Sequence, residues 1–230
     1  MIRKVLSKVN SIIGQKKKRV DNVIHKDYGY ELHKYTKADG SFDYLKYKKI
    51  QIDGNKKKID KIWVQEENIM FLSDYIQKNV SNLKFGLCHG TRRGREQEWF
   101  QKFLDIDVLG TEISDNALEF PNTIQWDFHE VKPEWIGKVD FIYSNSFDHS
   151  YDPKKCLDNW MSCISKGGVC IIEHTSLHEK ATELDPFGAS VWLMPYLILI
   201  WSEGRYCVNN ILTAPKQNQT YVNYLIIKNV

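Results

Sequence analysis

Glycines, acids and imidazoles recur between residues 86 and 149 at spacings that suit ligand binding and proton transfer. The first group is Gly86-Leu87-Cys88-His89-Gly90-Thr91-Arg92-Arg93-Gly94. Glycine lets the backbone approach a ligand closely, and a helix opening just after such a turn offers free N–H groups to an anion. Glu112 follows Gly90 by 22 residues. A carboxylate there can accept hydrogen bonds from both hydroxyls of a ribose, and that geometry serves NAD and S-adenosylmethionine equally. The alternative is an exposed acid at a strand end. Asp127 lies between Trp126 and Phe128. Its carboxylate can bond the exocyclic amine of an adenine whose ring the aromatics cover; a core Trp beside an exposed Asp is the plainer reading. The run Ser144-Asn145-Ser146-Phe147-Asp148-His149 places a carboxylate and an imidazole where a substrate would face a cofactor. An imidazole titrates near neutrality, which suits a general base. The alternative is a structural histidine that caps the loop.

These groups fall at the ends of elements read from hydrophobic pattern. Strands are expected over 83–88, 107–113, 123–128, 139–144 and 169–174, and helices over 95–104 and 153–165. Alternating strands and helices imply a parallel sheet with crossover helices, and ligands bind such sheets at the strands' C-terminal ends. The connections after the strands at 107–113 and 123–128 are only about ten residues, so their crossovers must be small. Strand-like runs at 206–212 and 221–227, joined by a short polar loop, form an antiparallel pair. Upstream, Ile69, Leu72, Ile76 and Val80 put one apolar stripe on a helix over 65–79. Residues 21–58 read as short helices and loops. A helix over 185–204, with Phe187, Trp192, Tyr196 and Trp201, reads as a pocket wall or a core element.

Taken together, these features resemble the class I S-adenosylmethionine-dependent methyltransferases. The likeness covers about residues 83–230 and rests on Leu109-Gly-Thr-Glu112-Ile-Ser, on Trp126-Asp127-Phe128, on Val139 to His149, and on Ser165-Lys-Gly167-Gly168-Val-Cys-Ile-Ile-Glu173-His174. The blend of Cys88-His89-Gly90-Thr-Arg92 with the other motifs is similar to a subgroup associated with polysaccharide and surface-glycan biosynthesis. The resemblance implies a Rossmann-like α/β fold: a seven-stranded, mostly parallel sheet closed by a C-terminal antiparallel pair. Here it follows an N-terminal helical extension. The division is a basic extension or cap over 1–80 and a cofactor-binding domain over 81–230. The implied cofactor is S-adenosyl-L-methionine, held by Cys88, His89, Gly90, Arg92, Glu112, Asp127, Phe128, Ser144 and Asn145, with His149 and Asp148 catalytic. The glycine turn departs from the family's acid-Gly-x-Gly-x-Gly pattern, because Lys84 or Phe85 stands where an acid is usual. His89 and Arg92 then replace backbone contacts, with Arg92 set to meet the methionine carboxylate.

The implied activity is methyl transfer to an oxygen of a sugar or another small polar acceptor. The alternative is a catalytically inactive cofactor-binding scaffold of a membrane-associated assembly. NAD chemistry is disfavoured by the absence of GxGxxG, and no metal site is expected, since no HExxH or matching third ligand accompanies His174 and His178. Charge is uneven: residues 1–61 hold 17 Lys and Arg against 7 acids, and the rest holds 15 against 22. Within residues 1–20, Ile2, Val5, Leu6, Val9, Ile12 and Ile13 recur at helical spacing beside seven basic residues. This is the pattern of a helix on an anionic membrane surface, or of a packed helix with a solvated charge run. Nucleic acid is not an expected partner. Five cysteines without a CxxC pair, and no signal core, point to a reducing cytoplasm, with peripheral contact at the inner face of the membrane.

Overall fold

The computed structural model describes residues 23–25, 28–217 and 220–230. The basic segment 1–20 lies outside them. Among the described residues, no helix is long and apolar enough to cross a membrane.

The main sheet has seven strands: β3 (Phe85–His89), β4 (Asp107–Glu112), β5 (Thr123–Gln125), β6 (Val139–Ser144), β7 (Ile164–Thr175), β9 (Tyr206–Thr213) and β10 (Val222–Asn229). Their spatial order is β5-β4-β3-β6-β7-β10-β9. The first five run parallel, and β10 enters antiparallel between β7 and β9. This is the expected mixed sheet. Order reverses between β3 and β6, which opens a crevice at their C-terminal ends.

Every residue of the central strand β6 is buried, because both faces of the sheet are covered. Alternation along β3 and β6 feeds two cores. Leu87, Ile142 and Ile172 face α4 (Pro153–Cys163) and α5 (Met194–Ser202), where they pack with Leu157, Trp160 and Leu197. Cys88, Phe141, Tyr143 and Ile171 face α2 (Glu66–Asn79) and α3 (Arg95–Leu104), meeting Ile69, Leu72 and Phe100. The short connections after β4 and β5 carry only single 3-10 turns, Asp115–Glu119 and Pro133–Trp135.

Three expectations change. Strand β5 stops at Gln125 instead of running to 128. Asp127 causes this by folding back on itself: its Oδ1 accepts the His129 N–H at 3.0 Å, and its carbonyl accepts the Glu130 N–H at 3.0 Å. The helix expected over 185–204 is divided into strand β8 (Phe187–Gly188) and α5, since Pro195 fits only the first turn of a helix and so sets its start. Residues 21–58 hold two strands, β1 (Val23–His25) and β2 (Glu31–His33), and a 14-residue helix α1 (Tyr44–Lys57). Strands β1, β2 and β8 form a small antiparallel sheet. Helix α1 starts where Asp43 accepts the Lys46 N–H at 3.0 Å. It lies over the C-terminal ends of the main strands, and Gly54 lets it close onto Leu184, where a Cβ would clash.

Candidate functional site

A cleft opens at the strand ends beneath α1, lined by Gly90, Arg92, Glu112, Asp127, Phe128, Ser146 and His149, with Tyr47, Gln51 and Lys58 above. The β3–α3 turn forms its floor. Gly90, Arg92 and Gly94 all take left-handed backbone angles, with φ of 75°, 47° and 75°. A Cβ on Gly90 would sit 2.6 Å from the Ser146 Cβ, so only glycine lets this turn pass the β6 loop.

That turn aims the Arg92 N–H at Glu112 Oε2, 3.0 Å away, while the Ser114 N–H reaches Oε1 at 3.1 Å. Burial raises the Glu112 pKa above its ordinary value, against the pull of these two donors. Each carboxylate oxygen keeps a second lone pair, so the group can still accept two hydroxyls from the cleft. The Arg92 guanidinium is turned toward the cap, donating to the Lys61 carbonyl at 2.9 Å.

Asp127 is tied on both sides. Its Oδ1 also accepts from His129 Nδ1 at 2.8 Å, and its Oδ2 accepts the Tyr44 hydroxyl at 2.8 Å. Burial pushes its pKa up, but the His129 and Tyr44 donors outweigh that and leave it below the ordinary value. With Nδ1–H on Asp127, His129 Nε2 accepts from Ser150 Oγ at 2.8 Å. Asp127 thus fastens α1 to the sheet while still lining the cleft.

Cys88, His89 and Ser144 do not line it. Cys88 is buried among the α2 and α3 side chains. The His89 ring stacks on Trp160 at 4.8 Å and bonds Thr111 Oγ1, and burial lowers its pKa to about 3. Ser144 Oγ donates to the His89 carbonyl at 2.9 Å and accepts the Ser146 N–H at 3.1 Å, which shapes the loop. Asn145 lines an adjoining small cavity with Trp63, Thr91 and Arg92. There its amide donates to Glu96 at 3.3 Å. Glu96 closes the motif that begins at Cys88, but its place in the sequence assigns it no role. Burial raises its pKa to about 7, and the nearby Glu173 adds to the rise. Its sequence signal is that motif position, an acid two residues past Gly94 in the first turn of an amphipathic helix.

His149 stands at the seam between the cleft and a larger cavity of about 610 Å³ that also includes Lys61, Trp63, Asp148, His178 and Asp185. Gln51 on α1 sets its tautomer. The Gln51 amide nitrogen donates to the Leu184 carbonyl at 2.8 Å, so its oxygen, 2.7 Å from His149 Nδ1, accepts the proton there. Nε2 is left with its lone pair, 3.5 Å from Asp185 Oδ1. Burial raises the Asp148 pKa to about 6. His174 is bonded through Nε2 to the Ala189 carbonyl at 2.9 Å and is neutral, its pKa lowered to about 3 chiefly by burial. Gln51 and Asp185 carry no motif, because only folding brings them to His149.

The sequence matches no protein-family model and no curated protein. Solved structures do match. The Burkholderia thailandensis 1,6-didemethyltoxoflavin-N1-methyltransferase, with bound 1,6-didemethyltoxoflavin and S-adenosylhomocysteine, aligns with a TM-score of 0.62. Identity is 11%, over 91% of this chain and all of that one. The chain has the class I methyltransferase fold. The plantazolicin methyltransferase BpumL, in complex with S-adenosylhomocysteine and a triazolic analogue, aligns at 0.59 and 15% identity over 81% of this chain and 96% of that one. The magnesium protoporphyrin IX methyltransferase of Synechocystis, with S-adenosylmethionine bound, aligns at 0.55 and 11% identity over 85% of this chain and all of that one.

Proposed function

We propose that the chain is an S-adenosylmethionine-dependent methyltransferase that methylates an oxygen of a sugar or another small polar acceptor. The observation that carries this reading is the placement of His149 Nε2 between the Glu112 cleft and a larger, polar cavity. The fold's solved relatives with bound S-adenosylmethionine or S-adenosylhomocysteine support the choice of cofactor.

The residues present fit that cofactor. Gly90 leaves the cleft floor open, Glu112 keeps two free lone pairs for a ribose diol, and the Phe128 ring borders the space for an adenine. Asp127 holds α1 over that end through Tyr44. In this reading Glu96 and Asn145, which share an adjoining small cavity, receive the methionine ammonium group. Bound there, the cofactor supplies a methyl group already activated by its sulfonium. His149 Nε2 takes the acceptor's hydroxyl proton as the oxygen forms its bond to the methyl carbon. The cofactor would leave as its neutral thioether, with the C–S electron pair on sulfur. With no cation bound, Gln51 keeps Nε2 the basic nitrogen. Lys58, Lys61 and Arg92 on the cavity wall favour an acceptor with an anionic group, as activated and surface glycans have.

Transfer of labelled methyl groups to glycan acceptors tests this reading. His149→Ala is expected to keep cofactor affinity and to lower turnover by about 10²–10⁴-fold on a sugar-like alcohol. A near-wild-type rate in that variant contradicts the assignment. Residues 1–80 act in this reading as a cap, with α1 as its part over the cleft and residues 1–20 as a peripheral membrane contact. Full-length chain that sediments with anionic vesicles at low salt and not at high salt bears out that contact, and no sedimentation at low salt removes it.

A further inference from the structure

Asp148, His149 and Asp185 bring three metal-ligating atoms within 4.8 Å of one another at the wall of the larger cavity. The hydrogen bonds around them leave a surplus of acceptors. Gln51 takes the only proton of a neutral His149, so the Nε2 lone pair faces Asp185 Oδ1 across 3.5 Å. Two lone pairs at that separation call for a positive charge between them. Asp148 adds a third acceptor. It is 8% exposed, and its Oδ1 is buried with no hydrogen-bond partner. A buried carboxylate oxygen without a partner is costly, and one proton shared by His149 and Asp185 does not satisfy it. His178 lines the same cavity, its Nε2 3.8 Å from Asp148 Oδ2.

We propose that these residues form a divalent-cation site. Asp148, Asp185 and His149 Nε2 are its ligands. One histidine with two carboxylates suits Mn²⁺, Fe²⁺ or Zn²⁺ better than Ca²⁺. Gln51 is the outer partner that fixes the ligating tautomer, the usual arrangement for a metal-bound histidine. The remaining coordination positions open to the cavity, so the ligand class is an acceptor with two adjacent oxygens, such as a vicinal diol or a hydroxy acid. The site rests on the proposed methyltransferase reading only for that acceptor, and when filled it replaces His149 as the group that removes the acceptor's proton. Nε2 cannot be both ligand and base. With the cation bound, the acceptor's hydroxyl is acidified by the metal and releases its proton to solvent.

The test is calorimetric titration of chelator-treated full-length protein with Mn²⁺, repeated with Co²⁺ and read by visible absorption. Saturable binding of one equivalent is expected, weakened at least tenfold by Asp185→Asn and by Asp148→Asn. Asp185 is one-third exposed, so its variant stays informative if the buried Asp148 variant fails to fold. Glu112→Ala leaves metal affinity unchanged if the site is separate from the cofactor cleft. No saturable signal at 1 mM metal, or unchanged affinity in folded Asp185→Asn, overturns the site. The binding readout needs no cofactor. Metal binding without methyl transfer therefore leaves the site standing and removes the function, while chelator-resistant transfer without metal binding does the reverse.

Discussion

Glu96 shows how burial sets the chemistry of one residue. Its carboxyl is held near pKa 7 because it is removed from water and lies near Glu173, which is itself buried beneath Tyr143 and Trp63 donors. The folded-state value lies above the ordinary one of 4.5, so the folded chain binds the extra proton more tightly. That contribution to stability is complete below about pH 4.5 and is lost as pH rises through about 7. In the ligand-free protein, Glu96→Gln is expected to raise the melting temperature at pH 8 and to leave it little changed at pH 4.5. An equal shift at both pH values would contradict the burial argument. A bound ammonium group would reverse the sign by favouring the carboxylate. At this scale the sequence is only partly readable. Glu112, Asp127 and His149 stand out by type and spacing, but Gln51 precedes His149 by 98 residues and nothing local marks it.

The β3–α3 turn carries the main constraint at the scale of elements. Three left-handed residues within five positions give the floor its shape, and Gly90 meets the β6 loop without room for a side chain. Gly90→Ala is expected to destabilise the fold by about 1–3 kcal/mol, from backbone strain and displacement of Ser146. Chemical denaturation measures this, and a loss under about 0.5 kcal/mol would show that the turn relaxes. The parallel strands and α2 to α4 were legible because period-2 and helical patterns persist where an element buries one stripe or two faces. The segments 21–58 and 185–204 were not. Strand β8 is two residues long and exists only because β2 pairs with it, a long-range contact that local pattern does not encode. Likewise β5 ends early because of a side-chain turn at Asp127, while its apolar pattern continues.

For the whole molecule, the strand order follows from simple rules once the elements are known. Parallel units wind outward from β3 in both directions, and the short polar link after β9 forces an antiparallel return. This places the ends of β3, β4, β5 and β6 around one crevice, with α1 lying across it through Tyr44 and Gln51. A basic extension or cap over 1–80 was expected from the sequence. Its contact with the crevice was not, since it depends on which face of α1 meets Asp127 and His149. The central claim is that this crevice binds the nucleoside of S-adenosylmethionine through Glu112. Calorimetric titration of the full chain and of Glu112→Ala with S-adenosylhomocysteine tests it directly. The expected result is saturable one-to-one binding by the wild type, weakened in the folded variant by about 1.5–3 kcal/mol, the value of a lost charge-assisted pair. No binding by the wild type, or equal affinity in the variant, would contradict the account.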